Sequence, residues 1–109
     1  MPFVHPEDVS EFRTTVMGAP KCFVQMSTAW CGPSQLIKAD MAALAEEFSA
    51  NYTFVYVDCD KCKEVQEMFE VTTMPTFFVF TGAGAQTARY EGAKVEKIRE
   101  FIMANKDAQ

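Results

Sequence analysis

Strand-like and helix-like apolar patterns alternate along the whole of this 109-residue chain, and that order restricts the fold more than any other feature. Alternating β and α segments imply a sheet joined by crossover helices. After Phe3-Val4-His5, the run Pro6-Glu7-Asp8 opens a helix with Val9, Phe12 and Val16 on one face, and Gly18-Ala19-Pro20 stops it. Residues 22–28 read as a strand. Pro33 suits the first turn of a second helix, because its missing N–H costs nothing there and its φ is already helical. Ile37, Met41, Leu44 and Phe48 follow at three- and four-residue spacing, which predicts one long helix with a core face.

The second half continues the alternation. Residues 53–57 form an apolar strand, and Asp58 or Asp60 can cap a short helix bearing Val65 and Phe69. Residues 76–80 are almost unbroken bulk and read as a central strand covered on both faces. Gly82-Ala83-Gly84 turns the chain into an antiparallel strand over 86–91. After Gly92, the residues Val95, Ile98, Phe101 and Ile102 mark a closing helix. No repeat, linker or low-complexity tract interrupts this order, so residues 1–109 are expected to be a single domain.

Charge and composition exclude some partners. A net charge of −5 without a basic run would repel a phosphate backbone, so no nucleic acid is expected. No apolar stretch approaches the roughly 20 residues of a membrane helix, so no membrane partner is expected either. The N-terminal residues lack a basic segment followed by an apolar one, which makes a cytoplasmic location the expectation. In that setting the four cysteines, Cys22, Cys31, Cys59 and Cys62, are expected as thiols or redox-active groups rather than structural disulfides.

Cys31 stands between a strand end and a helix start. Free backbone N–H groups and the helix dipole there favour a thiolate, which is the nucleophilic form of the side chain. Trp30 beside it would shield the sulfur and offer a flat apolar surface to a partner, and Gly32 would let another backbone approach. A lone cysteine is more commonly a small buried hydrophobe, and Cys22, inside an apolar strand, is that case.

Trp30-Cys31-Gly32-Pro33 after a hydrophobic strand, Met74-Pro75-Thr76 before the bulky strand, and Gly92 after the last strand together resemble the thioredoxin family, over essentially the whole chain. The resemblance implies the α/β thioredoxin fold, a central mixed β-sheet of about five strands flanked by about four helices. It also implies protein disulfide oxidoreductase activity without a cofactor, with disulfide-containing target proteins and a thioredoxin reductase as partners. Carried over residue by residue, it makes Cys31 the attacking thiolate and places Ser34 where the family has its resolving cysteine. Pro75 becomes a cis-proline beside the sulfur, and the Met74 backbone pairs with an extended substrate. Trp30, Gly32, Pro33, Gly92 and Ala93 rim the groove.

Four positions depart from the family. Ser34 cannot form a disulfide, so exchange should stop at a mixed disulfide with the target, although its hydroxyl could still donate to the Cys31 thiolate. Gln25 stands where the family usually has a buried aspartate, and Tyr56 where it often has a charge, so the pocket behind the site should be more neutral than usual. Ala39 replaces a helix-kinking proline, which predicts a straighter second helix. Two accounts of Ser34 stay open. One is an engineered cysteine-to-serine trapping variant of a dithiol protein. The other is a natural monothiol protein acting as a redox tether or a non-catalytic binding module. A Cys31-linked dimer is a further expected state.

Cys59-Asp60-Lys61-Cys62 is a second C-x-x-C, where Lys61, Lys63 and a helix N-terminus could activate either thiol as a secondary redox pair. The plainer reading is one buried strand cysteine, Cys59, and one partly exposed thiol, Cys62. No further C-x-x-C or histidine pair is present to complete a zinc site, so no metal is expected. His5 reads as structural, and Glu46-Glu47 as a solvated helix face.

Overall fold

The structure, a computed structural model, describes residues 3–82 and 84–107. In chain order the elements are β1 (Phe3–Val4), α1 (Val9–Gly18), β2 (Lys21–Ser27), α2 (Gly32–Leu36), α3 (Lys38–Glu47), β3 (Thr53–Asp58), α4 (Lys63–Met68), β4 (Thr76–Thr81), β5 (Ala85–Glu91) and α5 (Val95–Asn105). The strands form one five-stranded sheet in the order β1-β3-β2-β4-β5. β1, β3 and β2 run parallel, while β4 is antiparallel to β2 and β5 antiparallel to β4, so the sheet is mixed.

Side-chain alternation splits β2 between two cores. Cys22, Val24 and Met26 face the layer that holds Phe12 and Val16 of α1 and Val65 of α4. Phe23 faces the other layer, with Met41 and Leu44 of α3 and Ile98 and Ile102 of α5. β4 is divided the same way, Phe78 and Phe80 on one side and Phe77 and Val79 on the other. All six of its residues are buried, as the unbroken bulk of 76–80 predicts. The middle strand is β2, however, and β4 lies one place outward, because β5 pairs along its far edge.

Local chemistry sets several boundaries. The Asp8 carboxylate accepts the Glu11 N–H at 2.9 Å and starts α1, satisfying a donor that the helix leaves unpaired. Gly82 and Gly84 have positive φ in the β4–β5 turn, and Ala83 between them lies outside the described residues.

Three expectations are corrected. The second helix is neither single nor straight. It breaks at Ile37 (φ −99°, ψ 5°) into α2 and α3, so the described residues hold five helices where the resemblance implies about four. No proline causes this break; Ile37 is itself buried in the core with Met41, and Ser34 is tied down one turn earlier, so tertiary anchors fix the chain on both sides. Nor does Asp58 or Asp60 cap α4. Asp58 caps its own turn instead, accepting the Asp60 N–H at 2.9 Å, and Cys62 is the N-cap residue, without a side-chain bond.

Phe23 is fully buried, and its ring lies 5.3 Å from that of Phe54 and 5.4 Å from that of Phe77, centroid to centroid. Phe23→Ala should therefore lower the unfolding free energy by about 3–5 kcal/mol in urea titrations. Met17→Ala, at an exposed position, should change it by no more than about 0.5 kcal/mol.

Candidate active site

Cys31 is held where the C-terminal end of β2 gives way to α2. Its N–H donates to the Thr28 carbonyl at 3.3 Å, and its own carbonyl accepts from Gln35 at 3.1 Å. It is the N-cap of α2, with extended backbone angles and no side-chain cap, and Pro33 sits in the first turn. The half-buried Cys31 thiol donates to the Met74 carbonyl at 3.3 Å. The Met74–Pro75 bond is cis. One residue on, the Pro75 carbonyl accepts the Gly92 N–H at 3.1 Å, joining the start of β4 to the end of β5.

Gly92 is constrained in two ways. Its φ of +141° suits glycine, and a Cβ there would lie 2.9 Å from the Tyr90 hydroxyl. Gly92 and Ala93 are partly buried at the rim, while Gly32 and Pro33 are exposed on α2. Trp30 is 85% exposed, too open to be packed over the sulfur as expected from sequence. It stands out as apolar surface instead. Leu36, 84% exposed on α2, adds a second apolar side chain that sequence reading passed over.

Ser34 is buried and turned inward. Its Oγ lies 2.5 Å from the Oγ of Ser27, the last residue of β2. The expected hydrogen bond from Ser34 to Cys31 is therefore replaced by this one. A buried hydroxyl takes the partner within reach, and Ser27 lies directly beneath the first turn of α2. Ser27 went unnoticed in the sequence, although period-two alternation from Phe23 through Gln25 would have found it on the same sheet face.

Gln25 pairs in register with Tyr56, and Ser27 with Asp58. Gln25 is buried, so the floor behind the site is neutral at this point, as its residue types suggest. Burial, reinforced by the negative charge of Asp58, pushes the Tyr56 phenol up from its ordinary range, with Ser27 acting in the opposite direction.

The remaining thiols are shielded and unbridged. Burial pushes Cys22 up to about 11. Burial first, then Asp58, pushes Cys59 up to about 12. Cys62 is raised by burial and by Asp58, Asp8, Glu7 and Glu11. Activation by Lys61 and Lys63 is thus outweighed; Lys61 is turned to Glu7 at 3.2 Å. The expectation of a partly exposed Cys62 is also corrected. It is 2% exposed, because its N–H and that of Lys61 both fold back onto the Asp58 carbonyl and its thiol points at the Pro6 carbonyl, 3.6 Å away.

Comparison with known proteins agrees with this geometry. The family model described as Thioredoxin matches residues 3–104. A thioredoxin of Echinococcus granulosus is 40% identical over 98 residues, 90% of each chain. One from Callithrix jacchus is 39% identical over 99 residues, 91% of this chain and 92% of that one. Among solved structures, a Plasmodium falciparum thioredoxin superposes with a TM-score of 0.85 at 25% identity, over 94% of this chain and 96% of that one.

The shielded thiols generate a pH dependence. An unfolded thiol loses its proton near the ordinary value of 9.0, whereas folded Cys22 and Cys59 keep theirs to about 11 and about 12. Between those limits the unfolded state binds fewer protons, so stability falls as pH rises. Urea midpoints should be flat between about pH 6 and 8 and should drop steadily above about pH 9, and Cys22→Ala should make that drop shallower.

Proposed function

Because the chain belongs to the thioredoxin family of thiol-disulfide oxidoreductases, we propose that Cys31 attacks the disulfides of target proteins and that Ser34 arrests the reaction at the mixed disulfide. The observation that carries this reading is the opposite orientation of the two side chains. Cys31 is only partly buried and sits on the Met74 carbonyl, and Ser34 is buried against Ser27.

In the first step the Cys31 thiolate attacks one sulfur of the target disulfide. The target S–S bond breaks, a bond from Cys31 to that sulfur forms, and the other sulfur leaves as a thiolate. Trp30, Gly32, Pro33, Gly92 and Ala93 supply the rim, and the Met74 backbone beside Pro75 receives an extended segment of the target. Release needs a second thiolate to attack Cys31. An oxygen at position 34 cannot serve, so the adduct persists until a thiol from solution resolves it.

Ser34 is read first as a cysteine-to-serine trapping change in a dithiol framework, because the groove around Cys31 is otherwise complete. A thioredoxin reductase would supply such a parent with electrons; with Ser34 present, no intramolecular disulfide forms at this site for it to reduce. A natural monothiol, serving as a redox tether or binding module, is favoured by Gln25, which provides no carboxylate to take a proton from a resolving thiol. Exposure of Cys31 also permits a Cys31-linked dimer. A reducing compartment such as the cytoplasm suits either form, since free thiols persist there.

Restoring the second sulfur tests the proposal. With limiting dithiothreitol, Ser34→Cys should raise the rate of protein disulfide reduction about tenfold or more, and Cys31→Ser should abolish it in either background. An unchanged rate in Ser34→Cys would count against the arrested-dithiol reading.

A further inference from the structure

Behind Ser34, on the face of the sheet that β2 and β3 turn toward α3, lies a cavity of about 450 Å³. That volume is in the range of small-molecule sites. Phe3, His5 and Tyr56 line it with three rings in mutual contact. The Tyr56 ring is 5.6 Å from His5 and 6.4 Å from Phe3, the latter nearly edge-on. Met41 and Ala42 of α3 also line it. A flat apolar body can lie against such a surface.

Gln25, Ser34, Gln35, Lys38 and Asp58 supply the polar part of the lining. Gln25 is only 4% exposed, and no side-chain hydrogen bond among the described residues involves its carboxamide; since no fully buried side-chain atom there lacks a partner, the carboxamide reaches the open space of the cavity it lines. A buried carboxamide needs a partner and offers a carbonyl acceptor beside an amide donor. Its best match presents the complementary pair, a donor next to an acceptor, as a lactam edge does. Ser34 lines the same space, but its hydroxyl is committed to Ser27. Lys38 and Asp58 bring one charge of each sign to the lining, so neither a net anion nor a net cation is favoured.

We propose that this cavity is a binding site for a small, uncharged, planar heteroaromatic molecule that holds a lactam-type edge against Gln25. The site makes no use of Cys31 and stands apart from thiol exchange. An occupant stacks on the Tyr56 side and replaces whatever solvent satisfies the Gln25 amide.

The experiment is an NMR titration of the full chain, reading backbone and side-chain amide shifts. The probe is isoquinolin-1(2H)-one, with isoquinoline as the control that has the same ring size but no donor. The expected result is saturable shifts confined to Phe3, His5, Gln25, Ala42 and Tyr56, with isoquinoline about tenfold weaker, since it leaves half of the Gln25 edge unpaired. Gln25→Leu should bring the two probes to equal affinity. If that variant does not fold, Ala42→Trp, at an exposed helix position on the lining, should abolish binding by filling the space. The proposal is overturned if neither probe shifts these residues, if both bind the unaltered chain equally, or if the shifts centre on Trp30 and Met74.

Discussion

The structure depends on β2 having a parallel neighbour on one side and an antiparallel neighbour on the other. That arrangement holds every residue from Cys22 to Met26 in two ladders, with Gln25 opposite both Tyr56 and Phe77. A strand fixed in this way cannot slip by one residue without exchanging its two faces. Its even positions, Cys22, Val24 and Met26, close one core, and Phe23 begins the other. Ser27 ends the ladder, and its carbonyl and hydroxyl are both taken, by the Cys59 N–H and by Ser34. The position of α2, and with it Cys31, follows from that strand end.

The same geometry separates one accessible sulfur from three shielded ones. All four thiols lie on β2 or in the turns that follow β2 and β3, yet only Cys31 is not buried. Cys59 and Cys62 are folded into the turn after β3 among Asp58, Asp60 and the acidic start of α1, where a thiolate is disfavoured by both burial and charge. Cys22 faces the α1 core. The chain thus presents one nucleophile beside the Met74 carbonyl. The hydroxyl three residues further along is bound to the sheet rather than to the sulfur, which leaves Cys31 as the one thiol available for the proposed chemistry.

Much of this was legible in the sequence, and the reasons for the rest are physical. The βαβ order, the Asp8 cap and the two faces of the strands follow from period and residue type. Cys31, flanked by Trp30 and Gly32-Pro33, is marked by its place between a strand and a proline-opened helix. What could not be read was the outcome of competition between partners. Ser34 chose Ser27 over Cys31, and Asp58 chose the Asp60 N–H over the α4 terminus. Lys61 went to Glu7 rather than to a cysteine, and Ile37 left the helical path where core anchors hold it. Each choice depends on groups far apart in the chain, which spacing alone does not bring together. The cis geometry at Pro75 came only through family resemblance, and the aromatic lining of Phe3, His5 and Tyr56 became visible only once β1 and β3 were paired.

The central claim is that Cys31 forms a mixed disulfide that this chain cannot resolve. Its most direct test is non-reducing mass spectrometry of the protein after exposure to a peptide disulfide and removal of excess peptide, with the modified cysteine identified by proteolysis. A stable adduct of one peptide half on Cys31 alone, persisting until dithiothreitol is added, is the predicted result. Release of the peptide with formation of an internal disulfide between Cys31 and Cys59 or Cys62, or the absence of any adduct on Cys31, would contradict it.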